Sequence, residues 1–167
     1  VLTNQQSGAA FNTISNTIKD SYLGLPKFDH LAYLSQERKS KEDDADKITN
    51  EVWETVAKNL KDKKLKVDFK SFAGTYKDNW FGEVVISEKK GKLYFTSKRS
   101  PRLTGEVFYY KENNLVVKWN IRSFDADAHI FYELDANGKM NHFKMKAISP
   151  LTDFSYDFHD LDFTKSE

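Results

Sequence analysis

Cysteine is absent from this chain of 167 residues, which excludes a disulfide frame and a thiolate-bound zinc site. A dominant charge is also missing. Lys and Arg number 26 and Asp and Glu 25, so no overall field draws the chain to nucleic acid or to an anionic membrane. The balance holds locally, with 13 basic and 13 acidic residues between Phe72 and Phe163. No apolar run approaches the roughly 20 residues a transmembrane helix needs. The sequence opens on Val1 without a signal peptide, and the expectation is a piece of a longer protein.

What is plentiful is aromatic residue in one stretch. Phe72 to Phe163 holds 18 of the 24 aromatics and breaks repeatedly at turn-forming residues. Strand character is read over Thr75–Trp80, Glu83–Ser87, Lys92–Ser97, Thr104–Tyr110, Leu115–Asn120, Ala128–Leu134, Lys139–Ala147 and Tyr156–Phe163. Lys90-Gly91, Ser100-Pro101, Asn113-Asn114, Asn137-Gly138 and Ser149-Pro150 mark the turns between them. The fold class expected is mainly β with N-terminal helices: about eight antiparallel strands in an up-and-down barrel after an α-helical segment. Val84, Ile86, Leu93, Phe95, Leu115, Val117 and Trp119 point inward by alternation.

One hairpin is legible residue by residue. A two-residue loop at Asn137-Gly138 pairs Ile130 with Met145 and Tyr132 with Phe143 on the apolar side. His129 then faces Lys146, Phe131 faces Lys144 and Glu133 faces His142 on the polar side. A three-residue loop with a bulged Gly138 shifts the pairing by one unless a bulge near Asn141 restores it. Either way Ile130, Tyr132, Leu134, Phe143 and Met145 are expected inside.

The front of the chain reads as helix. Val1-Leu2-Thr3-Asn4 resembles a strand end, Ser7-Gly8 a cap, and Phe11, Ile14, Ile18 and Tyr22 one helical face that Gly24 stops. Pro26 restarts a helix with Phe28, Leu31 and Leu34 as its stripe. Eight of the eleven residues from Gln36 to Asp46 are charged, the pattern of a solvated helix or flexible link. Periodicity returns at Ile48, Val52, Val56 and Leu60 beside Trp53. The segments expected are 1–25, a helical linker over 26–70 and the barrel over 71–167.

Reactive constellations are weak. Ser87-Glu88-Lys89-Lys90 matches Ser-x-x-Lys, but that chemistry needs a helix, and this match lies where a strand enters a turn. Tyr33-Leu34-Ser35 fits a helical stripe better than a catalytic motif. His129 and His142 read as surface pairs of one hairpin, since a metal site needs a third ligand. Asp125, Asp127, Asp153, Asp157, Asp160 and Asp162 read as turn caps and solvated strand positions. Tyr94, Lys98, Arg99, Tyr109, Tyr110 and Lys111 could stack single-stranded nucleic acid, which the neutral balance disfavours. No catalytic residue, metal or cofactor is assigned.

Several stretches carry a resemblance. Gly74-Thr75-Tyr76, Trp80-Phe81-Gly82, Gly91-Lys92-Leu93, Ser100-Pro101-Arg102-Leu103, Trp119 and Phe154-Ser155-Tyr156-Asp157-Phe158 with Asp160-Leu161 resemble the lipocalin-like C-terminal domain of serine beta-lactamase-like hydrolases. Leu2-Thr3-Asn4-Gln5, Ser7-Gly8-Ala9-Ala10 and Tyr22-Leu23-Gly24-Leu25-Pro26 resemble the last strand, closing helix and exit of the hydrolase domain. The resemblance implies a non-catalytic accessory barrel, covalently joined to an exported serine hydrolase and shaping access to its active site or mediating assembly. It implies no catalytic residue in this chain. The alternative is a barrel holding a small hydrophobic ligand among Phe95, Trp119, Tyr132 and Phe143. Loss of the covering sheet would leave Val1, Leu2, Phe11, Ile14 and Ile18 to bury against the barrel or a second copy.

Overall fold

The computed structural model describes residues 1–2 and 8–166. The strand end at Thr3-Asn4 and the cap at Ser7 therefore lie outside the described residues. The chain divides into two compact units, Val1–Lys47 and Ile48–Glu167.

Helix α1 spans Ala9–Leu23. It ends at Gly24, whose left-handed φ of 64° lets the N–H of Leu25 reach back to the Asp20 carbonyl at 3.0 Å. Helix α2 runs unbroken over His30–Lys61. Its charged middle is helix, as the solvated reading has it. Arg38–Glu42, Lys41–Glu37 and Lys39–Asp43 are spaced to bridge successive turns, at 2.6, 2.7 and 2.8 Å. In α1 no residue is buried: Phe11, Ile14 and Ile18 remain 42–46% exposed in the single chain, and Leu2 is fully exposed.

Eight antiparallel strands then close into a barrel in chain order. They are β1 (Gly74–Asp78), β2 (Gly82–Lys89), β3 (Lys92–Ser97), β4 (Thr104–Lys111), β5 (Asn114–Trp119), β6 (Ala128–Leu134), β7 (Met140–Ala147) and β8 (Asp162–Lys165). All seven residues placed inside by alternation in β2, β3 and β5 are at most 1% exposed. The Lys90-Gly91 turn has positive φ at both residues, 54° and 75°, the geometry that matches strand twist in a two-residue hairpin.

The β6–β7 hairpin keeps the expected pairs from His129↔Lys146 to Glu133↔His142, but its loop is longer. Asp135 accepts backbone N–H groups from Asn137 and Lys139, Gly138 takes a φ of 72°, and pairing shifts at Leu134↔Met140. This is the bulged alternative, with Asn141 as the extra residue. It corrects one inward assignment: Leu134 is 47% exposed, and Met140 is the fully buried residue at that level.

The last strand is also shorter than its aromatic alternation implies. Residues Phe154–Tyr156 and Phe158–Asp160 form single 3-10 turns, because Asp153 caps the first and Asp157 turns left-handed between them. Phe158 then folds over the barrel end and stacks on Trp119 at 6.2 Å. Only Asp162–Lys165 joins the sheet, pairing with both β7 and β1.

Two polar groups hold that seam. The Tyr76 hydroxyl donates toward the Phe72 and Met140 carbonyls at 2.8 and 3.1 Å, and burial pushes its pKa well above the usual phenol value. Asp78, 6% exposed, accepts the N–H groups of Trp80 and Phe81 on one oxygen and of Asp162 on the other.

The outside of the barrel is dry in one place. Val52 and Val56 of α2 bury Tyr110, Val116 and Ile148, while Trp53 meets Phe108 edge-on at 5.9 Å. Asn59 donates to the Tyr110 carbonyl at 2.7 Å, tying the helix end to the bulge where β4 pairing shifts.

Gly105 sits where strands crowd. A Cβ there would lie 2.3 Å from the Lys118 carbonyl oxygen, a backbone atom that cannot swing aside. Gly105→Ala is expected to lower unfolding stability by about 2–3 kcal/mol. Urea denaturation checks it, and an unchanged midpoint would refute the close approach.

Candidate functional site

The four interior residues considered as ligand contacts come together in the barrel core. Phe95 meets Trp119 edge-on at 5.3 Å, and Tyr132 meets Phe72 at 4.9 Å. Phe143 is stacked on Phe163 at 4.6 Å and meets Tyr76 edge-on at 5.2 Å. Each of the four is at most 8% exposed, and their faces meet neighbouring core rings.

Ser87 and Lys90 line a common open groove, of about 470 Å³, on the outer side of β2, β3 and β4. They are not one helical turn apart: Ser87 pairs with Tyr94 across strands, and Lys90 is one of the two left-handed residues of the turn. The serine thus lacks the helical geometry the catalytic motif requires. Lys89, Lys92, Tyr94, Thr96 and Thr104 complete the lining. Sequence reading did not group these residues, although the Lys89↔Lys92 and Ser87↔Tyr94 pairs follow directly from the Lys90-Gly91 turn.

The histidines have local roles. His142 pairs through Nε2 with Asp162 and lies 3.7 Å through Nδ1 from Glu133. The hydrogen bond from His142 holds the Asp162 carboxyl below the usual carboxylate range. His129 shares a 3.1 Å hydrogen bond with the Asn114 side chain and packs against Tyr110 and Phe131. Burial, aided by Lys146 and Lys111, lowers its pKa. The two rings therefore do not converge on one ligand.

The carboxylates behave as caps and pairs. Asp153 caps a 3-10 turn, while Asp127 grips Arg122 with both oxygens at 2.6 and 2.8 Å and accepts the Trp119 N–H. Among the described residues, only Asp157, His159 and Asp160 place three potential metal-ligand atoms near one another, and the latter two are exposed. The proposed stacking set is dispersed: Tyr109 packs toward the core, Tyr110 lies under α2, and Lys98 pairs with Glu83.

Within the first unit, α1 and the start of α2 flank a second groove of about 320 Å³. Ile14, Leu31 and Leu34 supply its apolar wall and Arg38 its rim. Tyr22, Leu23, Phe28, Leu31 and Tyr33 are each more than half exposed nearby in sequence. No described helix is long and apolar enough to cross a membrane.

A sequence family described as a domain of unknown function, DUF3471, matches residues 58–165, more than half of the chain. The chain belongs to the DUF3471 family. No curated protein and no solved structure is significantly similar to it. The DUF3471 match begins in the last turn of α2 and ends at the last residue of β8, so it coincides with the barrel and the Asn59 tie.

His129 gives this surface a pH dependence with a fixed sign. Unfolded histidine binds its proton near pH 6.5, whereas the folded ring binds it only at lower pH. Between those values the unfolded state carries more protons, so stability rises with pH. Stability should therefore be greatest above about pH 6.5 and fall as the pH is lowered through that value. His129→Gln should flatten that part of the profile in denaturation midpoints taken from pH 7.5 to pH 5.

Proposed function

We propose that this DUF3471 barrel is a non-catalytic accessory domain joined to a serine beta-lactamase-like hydrolase domain, where it shapes access to the active site or mediates assembly. The observation carrying this reading is the contrast between the two units. The barrel interior packs its aromatic residues together, whereas no residue of α1 is fully buried and Phe11, Ile14 and Ile18 stay 42–46% exposed. A helix that is apolar on one side and unburied in the single chain needs a partner surface. The resemblance of residues 1–26 to the closing elements of a hydrolase domain names that partner. On this reading Phe11, Ile14 and Ile18 lie against the hydrolase sheet, and the barrel follows as an appended module. Parents of this type are usually exported, to the periplasm or outside the cell, and on the same reading so is this one.

Ser87 has a lysine nearby in sequence but no helix to present it. Homo-oligomer formation through the same exposed face is the assembly form of the proposal.

The genomic reading frame upstream of Val1 tests the reading. A hydrolase domain carrying a Ser-x-x-Lys helix is expected there, and a frame without one would overturn the parentage. The chain by itself should not accelerate hydrolysis of a chromogenic ester or a β-lactam. Turnover that disappears in Ser87→Ala would instead make the β2 groove an active site.

A further inference from the structure

The groove on the outer face of β2, β3 and β4 stands apart from the hydrolase reading and has chemistry of its own. Alternation along the strands puts Ser87 and Lys89 of β2, and Lys92, Tyr94 and Thr96 of β3, on this outer side. Thr104 of β4 pairs with Thr96 and extends the row. The lining is therefore three ammonium groups, three aliphatic hydroxyls and one phenol ring around about 470 Å³, a volume within the range of small-molecule sites.

The charges in it are unevenly used. Lys92 is held by Glu106, with Nζ 2.9 Å from Oε1. Among the described residues, Lys89 and Lys90 have no ion-pair partner. The nearest acid in sequence, Glu88, is turned to cap the hairpin, accepting the Gly91 N–H at 2.6 Å. Two free cations thus stand at one end of a hydroxyl-rich strip. The turn that carries Lys90 has positive φ at both Lys90 and Gly91, the geometry of a two-residue hairpin.

We propose that this groove binds an acidic oligosaccharide, its anionic group held by Lys89 and Lys90 and its sugar ring laid on Tyr94. Ser87 and Thr96 offer hydroxyls that both donate and accept, as sugar hydroxyls require, while Thr104, whose hydroxyl donates to the Pro101 carbonyl at 2.9 Å, offers an acceptor. The aromatic face suits the apolar C–H side of a pyranose. A simple anion would use the lysines and leave the hydroxyl row idle; a neutral glycan would leave the free cations idle.

Two-dimensional amide NMR of the chain, titrated separately with an oligogalacturonate, a neutral oligosaccharide of the same length and inorganic phosphate, tests the assignment. The acidic oligosaccharide should shift the amides of Ser87, Tyr94, Thr96 and Thr104 and bind at least tenfold tighter than either control. Lys89→Gln/Lys90→Gln should weaken it at least tenfold, and added salt should weaken it too, because the pairs are exposed. Tyr94→Leu should weaken it while an unchanged melting curve shows the barrel intact. Equal binding of phosphate, equal binding of the neutral sugar, or no shift in the groove at millimolar ligand would each overturn the proposal.

Discussion

Closure of the sheet is the constraint on which the rest depends. Strand β8 has only four residues, yet it must pair with β7 on one side and β1 on the other. Two Cα pairs and the Ser166 N–H to Thr75 carbonyl bond make up the β1 seam. So short a ladder holds because side chains reinforce it from both ends. Tyr76 ties the chain before β1 to β7, and Asp78 ties the turn after β1 to the first residue of β8. A buried donor or acceptor left unpaired costs about 1–3 kcal/mol, so these two residues fix the register as well as the closure. Once closed, the barrel has no free edge to recruit another strand.

The aromatic packing follows from that closure. Eight strands enclose a bore that side chains can fill, and the rings here fill it by edge-on and stacked contacts: Phe95 on Trp119, Trp119 on Phe158, Phe143 between Tyr76 and Phe163. The remaining surfaces lie on the outside of the barrel. One outer face is taken by α2 through Val52 and Val56. Another carries the lysine and hydroxyl groove. The helical front end adds an apolar face that the single chain leaves open.

Much of the barrel was legible because period-two alternation in an antiparallel sheet maps directly onto inside and outside. Val84, Ile86, Leu93 and Phe95 needed nothing more. The misreadings share one cause: alternation carried past the point where local hydrogen bonding ends the strand. Leu134 keeps the phase of Tyr132, yet Asp135 draws the chain into a loop and Met140 takes the inner place. Tyr156 and Phe158 alternate like strand residues, but the cap at Asp153 and the left-handed Asp157 wind them into turns. Leu115-Val116-Val117 did carry a readable hint, since a continuous apolar run marks a strand covered on both faces. Its cover, Val52 and Val56, was visible only as a helical stripe without a destination. The groove residues were legible singly and invisible as a set, because cross-strand neighbours are far apart in the chain.

Native-state amide exchange tests the closed, self-filled barrel most directly. The account predicts that Lys165 and Ser166 amides exchange no faster than those of Val116 and Val117, by global unfolding alone, while α1 exchanges much faster. Rapid exchange confined to β8 and β1, with β4 and β5 still protected, would contradict it, because the seam would then be open in the folded protein.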